Sequence, residues 1–181
     1  MNKKYQIIYA DPPWQFKNYN DDTATNWAGG HYTLMTLDDI KNLPIKNISG
    51  EDCVLFLWVT YPTLPRAFEV IKAWGFEYKT VAFTWVKQDK SGMGIYLGMG
   101  YWTRSNAEIC LLATKGNPKR ENADVRQIVL SPRREHSQKP SEIRERIIRL
   151  LGDLPRIELF ARRKVDGWDC WGNEVESDIV L

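Results

Sequence analysis

Two adjacent prolines, Pro12 and Pro13, close off the first apolar run of this chain. Proline holds φ near about −65° and carries no N–H, so neither a helix interior nor a central strand continues through the pair. The run before them, Ile7-Ile8-Tyr9-Ala10, reads as a buried strand, and the chain leaves it through Asp11-Pro12-Pro13-Trp14. A carboxylate there can accept a hydrogen bond from an amine. Proline carbonyls can face a ligand without a neighbouring N–H from their own ring, and tryptophan offers a flat stacking face. These parts suit a planar ring bearing an exocyclic amine, such as adenine. Taken alone, a stiff turn capped by an aspartate explains the tetrapeptide equally well.

A single domain spanning 1–181 is expected. A chain of 181 residues with 43% apolar and 27% charged side chains can bury a full core. The net charge of +2 neither demands nor repels a polyanion. Its distribution is uneven: Lys115, Lys119, Arg120, Arg126, Arg133 and Arg134 crowd one polar stretch, whereas Glu174, Glu176 and Asp178 lie near the end. Cys53, Cys110 and Cys170 are odd in number and far apart, which points to reduced thiols in a cytoplasmic protein. His31 and His136 add no metal-ligand spacing, so no metal is expected. No apolar stretch is long enough to span a membrane.

Strands are expected over about 5–10, 54–59, 78–86, 108–114, 125–130 and 156–161. Thr36 reads as the N-cap of a short helix over 37–43, with Asp38 and Asp39 in its first turn. A second helix runs from Pro65 to Trp74, with Phe68, Ile71 and Trp74 on one face and Gly75 at its end. A third runs from Pro140 to Leu151, with Ile143, Ile147, Leu150 and Leu151 as its apolar stripe and Pro140 in its first turn. The polar stretch from Gln15 to Tyr32 is long for a structureless loop and reads as a functional lid or a mobile segment. This alternation predicts an α/β fold, a mixed and mostly parallel sheet with helices on both faces. The close spacing of the strands at Glu108 and Val125 predicts an antiparallel portion there. Ligands of such sheets lie beyond the carboxyl ends of the strands, where Asp11 stands.

A second set of residues lies in the C-terminal half. Lys139, at the entrance of the third helix, places a cation beside free N–H groups that already favour an anion such as a small-molecule carboxylate. Glu158 sits inside an apolar strand near its end. A carboxylate there can hold two ribose hydroxyls or, equally, pair with an arginine. Asn173 carries an amide that both donates and accepts, matching an adenine edge. Trp168 and Trp171 read as core residues.

In order along the chain, Asp11-Pro12-Pro13-Trp14, Phe56-Leu57-Trp58-Val59-Thr60, Trp85-Val86-Lys87, Lys115-Gly116-Asn117-Pro118, Ser137-Gln138-Lys139-Pro140-Ser141-Glu142, Ile157-Glu158-Leu159-Phe160-Ala161-Arg162 and Trp171-Gly172-Asn173-Glu174 resemble segments of one family. That family is the MT-A70-like adenine-N6 methyltransferases, and the resemblance covers nearly the whole chain. It implies a Rossmann-like fold with the circularly permuted motif order of β-class amino-methyltransferases, the catalytic tetrapeptide preceding the cofactor segments. It implies S-adenosyl-L-methionine as cofactor, held by Asp11, Lys139, Glu158, Phe160, Arg162, Asn173 and Glu174. Asp11, Pro12, Pro13 and Trp14 become the catalytic set, with Trp14 stacked on the target base. Tyr32 and its loop are expected to close over the site. Arg104, Lys115, Lys119, Arg120, Arg133 and Arg134 are expected to contact phosphates. The expected substrate is adenine in DNA, favoured by the compact chain without an RNA-binding extension. The alternatives are RNA, or an inactive nucleic-acid-binding partner subunit. A homodimer is expected from the small surface of one chain.

Overall fold

The computed structural model describes residues 3–15, 35–100, 102–133 and 138–181. Tyr32 and its loop, His136 and Arg134 lie outside the described residues. The described strands are β1 (Tyr5–Ala10), β2 (Ser49–Val59), β3 (Glu77–Gln88), β4 (Ala107–Lys115), β5 (Ile128–Pro132), β6 (Arg156–Leu159) and β7 (Asp169–Trp171). They form one sheet in the order β5-β3-β4-β2-β1-β6-β7. Every pairing is parallel except those of β4, which runs antiparallel to both β2 and β3.

The expected antiparallel portion is therefore present, but its partner differs. β4 pairs with β2 and β3, and β5 lies parallel on the far edge of β3. The 89–106 connection reverses the chain at one end of the sheet, which an antiparallel neighbour permits without a crossover. The 116–127 connection then passes β3 at the other end. β5 starts at Ile128 rather than Val125 because its ladder with β3 begins where Thr84 N–H donates to the Gln127 carbonyl at 3.0 Å. β7 was not foreseen as a strand; it has only three residues and takes its geometry from β6.

Side-chain alternation divides the core into two layers. Ile8 and Ala10 of β1, with Leu55, Leu57, Val59 and Leu111, face helices α1 (Leu37–Asn42) and α2 (Leu64–Ala73). Ile7 and Tyr9, with Val54, Phe56, Trp58 and Cys110, face helix α3 (Glu142–Leu151). Burial on both sides is why these strands read as continuous apolar runs rather than alternating ones.

Each helix has local causes. Thr36 caps α1 in a reciprocal box with Asp39. α2 buries Ala67, Val70 and Ile71 and ends at Gly75, whose φ of 83° glycine adopts without strain. Phe68, expected on that buried face, is exposed and meets Tyr78 edge-on at 5.1 Å. Trp74 Nε1 donates to the Ile40 carbonyl at 2.8 Å and ties α2 to α1. α3 buries Ile143, Ile147 and Leu151. Pro140 lies before the cap residue Ser141, not in the first turn, and its carbonyl accepts from Ile143 N–H at 3.2 Å. Cys53, Cys110 and Cys170 are buried and unpaired, and burial pushes the Cys53 thiol up to about 12, as for inert core thiols.

Ile147 is fully buried between α3 and the sheet. Ile147→Ala is expected to cost about 2–5 kcal/mol. The urea midpoint should fall with an unchanged m-value.

Candidate active site

Parallel β1, β2 and β6 all end on one side of the sheet, and antiparallel β4 begins there, with Ile109 opposite Val59. Three of these strands deliver carboxylates to one place. Asp11 follows the last residue of β1, Glu108 is the second residue of β4, and Glu158 is the third of β6. Their neighbours Tyr9 and Cys110 point toward α3, and alternation puts all three carboxylates on that face.

The carboxylates meet cations immediately. Lys139 Nζ donates to Asp11 Oδ2 at 2.6 Å and lies 3.3 Å from Glu108 Oε2. Its side chain is 9% exposed, and Nζ stands 5.5 Å from the centroid of the Trp58 ring. Lys87 Nζ donates to the other oxygen of Glu108 at 2.5 Å. Arg144 of α3 forks onto Glu158, with Nε at 2.7 Å and Nη2 at 2.6 Å from its two oxygens. Beneath them Trp58 Nε1 donates to Tyr9 Oη at 2.7 Å. Each buried charge has an opposite partner, which burial requires.

Burial and two like charges set the electrostatics of Asp11. Burial lifts its carboxyl above the ordinary value of 3.8; Lys139 opposes this, and the neighbouring Glu108 and Glu158 add to it. Burial acts on Glu108 in the same direction, but the charges of Lys139 and Lys87 outweigh it and hold that carboxyl below 4.5. Burial works against the charge of Lys139, yet Asp11 and Glu108 overcome it and raise its ammonium above the ordinary range. The result is a firmly charged lysine between one strongly ionised carboxylate and one that holds its proton more readily.

The prolines complete the corner. Trp14 N–H donates to the Pro12 carbonyl at 2.8 Å, leaving a second lone pair on that oxygen. Met35 N–H donates to the Pro13 carbonyl at 3.3 Å. Trp14 differs from the expected open stacking face. It is 8% exposed, its ring belongs to the core layer of α1 and α2, and Nε1 donates to the Trp58 carbonyl at 2.9 Å. Its observed work is to lock the turn onto β2, and little of the ring remains for a base.

On the β6 side, Phe160 has φ of 60°, a left-handed conformation that a bulky residue adopts only under constraint. Its ring meets Trp171 at 5.4 Å, and Ala161 N–H donates to the Trp171 carbonyl at 2.9 Å. Gly172 allows this approach, because a Cβ there would collide with the Ala161 carbonyl. Arg162 Nε donates to Glu174 at 3.0 Å, and Asn173 and Glu174 are exposed just beyond β7.

The basic residues divide between the two ends of the sheet. Arg104 precedes β4 and Arg133 follows β5, both on the Asp11 side; the Arg133 guanidinium lies 3.3 Å over the Tyr96 ring. Lys115, Lys119 and Arg120 are at the opposite end, away from Asp11. β4 runs away from the site, so everything between its end and the start of β5 lies on the far side. There Lys115 Nζ donates to Ser49 Oγ at 2.8 Å. Lys119 lines an open cavity of about 300 Å³ with Gln6, Asp52, Asn117 and Leu154.

Glu108, Lys87 and Arg144 were missed as site residues. Glu108 and Lys87 are charges within apolar strands, the same signal that drew attention to Glu158. Glu158 does pair with an arginine, Arg144.

The sequence has known relatives. The sequence model of the MT-A70 family matches residues 5–174. The chain belongs to the MT-A70 family. MT-A70 enzymes are S-adenosylmethionine-dependent adenine-N6 methyltransferases. The type II methyltransferase M.MunI of Mycoplasma sp is 35% identical, over 98% of this chain and 81% of its own length. The human N(6)-adenosine-methyltransferase catalytic subunit METTL3 is 30% identical over 98% of this chain but 29% of its own length. The Arabidopsis thaliana N(6)-adenosine-methyltransferase MT-A70-like is 28% identical over 96% of this chain and 24% of its own. The chain thus spans less than a third of the latter two.

The donor set fits the MT-A70 cofactor. Glu158 keeps a second lone pair on each oxygen for hydroxyls, Asn173 offers an amide at the strand ends, and the strained Phe160 turns the chain between them. Lys139 fits its expected part less simply, because its ammonium is already wedged between two carboxylates.

Glu108 stabilises the fold above its ordinary value of 4.5, and that contribution is lost as pH falls through its lowered folded value. Glu108→Gln should therefore cost about 3 kcal/mol at pH 7. Acid should erase this deficit, and urea unfolding of both proteins across an acid-to-neutral series checks it.

Proposed function

We propose that this MT-A70 protein transfers a methyl group from S-adenosylmethionine to the N6 amine of adenine in DNA. The observation that carries the reading is Asp11, ion-paired to Lys139 at 2.6 Å at the end of β1, beside the Pro12 carbonyl. The cofactor supplies an electrophilic sulfonium methyl. Asp11 accepts one N6–H of the target, and the second lone pair of the Pro12 oxygen accepts the other. Two acceptors on one nitrogen favour a pyramidal amine with its lone pair turned outward, and they stabilise the positive charge that develops there. Orientation within the site supplies much of the remaining acceleration. The methylated amine is acidic, so Asp11 need not be a strong base.

Adenine in a duplex must leave the stack to reach Asp11. DNA is favoured because M.MunI, matched over 81% of its own length, is a type II methyltransferase that acts on DNA. RNA is the alternative, since other relatives are named N(6)-adenosine-methyltransferases. An inactive partner subunit is opposed by the intact Asp11–Lys139–Glu108 cluster. The buried free thiols suit a cytoplasmic setting.

Labelled methyl transfer to matched DNA and RNA oligonucleotide pools, followed by mapping of the modified base, tests this reading. Label on DNA adenine N6 is expected; label confined to RNA or to another base contradicts it. Asp11→Ala should lower the rate of transfer by at least about 10²–10³-fold, with cofactor affinity nearly unchanged. Lys139→Met removes the charge that opposes the upward push of burial on the Asp11 carboxyl. It should move the acid limb of the kcat profile to higher pH as well as raise the cofactor KM. A pure KM effect would mean that Lys139 does not act on Asp11.

A further inference from the structure

Four charges stand in one alternating line through the site. Lys87 Nζ lies 2.5 Å from Glu108 Oε1, Glu108 Oε2 lies 3.3 Å from Lys139 Nζ, and Lys139 Nζ lies 2.6 Å from Asp11 Oδ2. Lys87, at the outer end, has no part in the chemistry described so far, yet the fold fixes its place. Trp85 stands directly opposite Glu108 in the antiparallel ladder of β3 and β4, and Lys87, two residues on, is a diagonal neighbour on the same face. Lys87 N–H donates to the Asn106 carbonyl and the Lys87 carbonyl accepts from Tyr96 N–H, both at 2.8 Å, so its backbone is held. Its ammonium stands 5.1 Å from the centroid of the Trp85 ring, and Trp85 Nε1 is tied to the Ser131 carbonyl at 3.0 Å. Lys139 over Trp58 repeats this arrangement at the inner end of the line.

Charge balance shows what Lys87 does. Among the described residues, Asp11, Glu108 and Glu158 face Lys87, Lys139 and Arg144, three carboxylates against three cations. The Cys110 thiol and the Tyr9 hydroxyl stand beside them, and burial keeps both protonated. The Arg144–Glu158 fork is satisfied within itself. The other four groups share partners, so the hold of Lys139 on Asp11 depends on how hard Glu108 pulls. Lys139 stands nearer Asp11 than Glu108, at 2.6 against 3.3 Å. Lys87 occupies the other oxygen of Glu108 and weakens that pull. Without Lys87, Glu108 would turn to Lys139, and the cluster would carry one excess negative charge. Both changes make a proton on Asp11 easier to add.

We propose that Lys87 is a positioning residue for methyl transfer: it restrains Glu108, so that Lys139 stays on Asp11 and Asp11 stays free of a proton to accept the target amine. Its described charge partner is Glu108 rather than Asp11, and it acts through that carboxylate. The inference rests on the adenine-methyltransferase reading above and extends it to the residue that keeps the acceptor ready.

The test is the pH dependence of the single-turnover rate of labelled methyl transfer to the oligonucleotide pool that the parent methylates. Lys87→Met should displace the acid limb to higher pH by about half to one unit, which lowers the rate about three- to tenfold at a pH on that limb. The plateau above the limb should stay close to parental, and Lys87→Arg should bring the limb back toward the parental position. In a Glu108→Gln background, Lys87→Met should move the limb little further, because the carboxylate that Lys87 restrains is gone. An unmoved limb in Lys87→Met overturns the proposal. So does an equal displacement in the parental and Glu108→Gln backgrounds, since Lys87 would then act without Glu108. Lys87→Gln keeps a donor for Glu108 but not the charge; it replaces Lys87→Met, with the same outcomes, if that variant melts below the assay temperature. Carbon-13 titration of Asp11 in the same variants needs no activity. If the Asp11 carboxyl value rises in Lys87→Met while no methyl reaches DNA or RNA, the catalytic reading fails and the part of Lys87 in holding Asp11 stands. A value that does not move overturns the proposal whatever the activity.

Discussion

The site depends on one buried ammonium. Lys139 touches Asp11 and Glu108 at once, and with only 9% of its side chain exposed it has little water to fall back on. An unpaired carboxylate in that position would take up a proton more readily. With Lys139 beside it, Asp11 can stay ionised as an acceptor, while burial and the charges of Glu108 and Glu158 keep it from being held too firmly. The cluster is a compromise between carboxylates that repel one another and a lysine that they share.

The fold makes that compromise geometric. Two-residue alternation turns Asp11, Glu108 and Glu158 to the face covered by α3, and α3 supplies Arg144 while the segment leading into it supplies Lys139. Antiparallel β4 is essential here. A parallel strand in its place would present its amino end at the opposite side of the sheet, and Glu108 would be out of reach. The same strand explains the two separate basic regions. Lys119 and Arg133 are neighbours in sequence, but β5 lies between them, and its length puts one at each end of the sheet.

Much of this was legible in the sequence, and the losses have physical reasons. Proline chemistry fixed the end of β1, the capping pattern located α1, and apolar spacing located α3, because each is a local effect. The MT-A70 motif order named Asp11, Lys139 and Glu158, which the structure brings to one end of the sheet. Pairing partners were not legible: strand order decides that Glu108 meets Lys139 and that Glu158 meets Arg144, and nothing local encodes it. Trp14 shows the opposite error. Its residue type suggested a stacking face, whereas the short distance from β1 to β2 commits its indole to the Trp58 carbonyl. Phe68 was misplaced on α2 because helical spacing alone does not say where the neighbouring layer stops.

The proposed chemistry turns on the state of one carboxyl group. Titration of Asp11 by carbon-13 NMR, in the parent and in a Lys139→Met variant, measures it directly. The predicted result is a parental value above the ordinary 3.8 that rises further when the ammonium is removed. A value at or below 3.8, or one indifferent to Lys139, would contradict it.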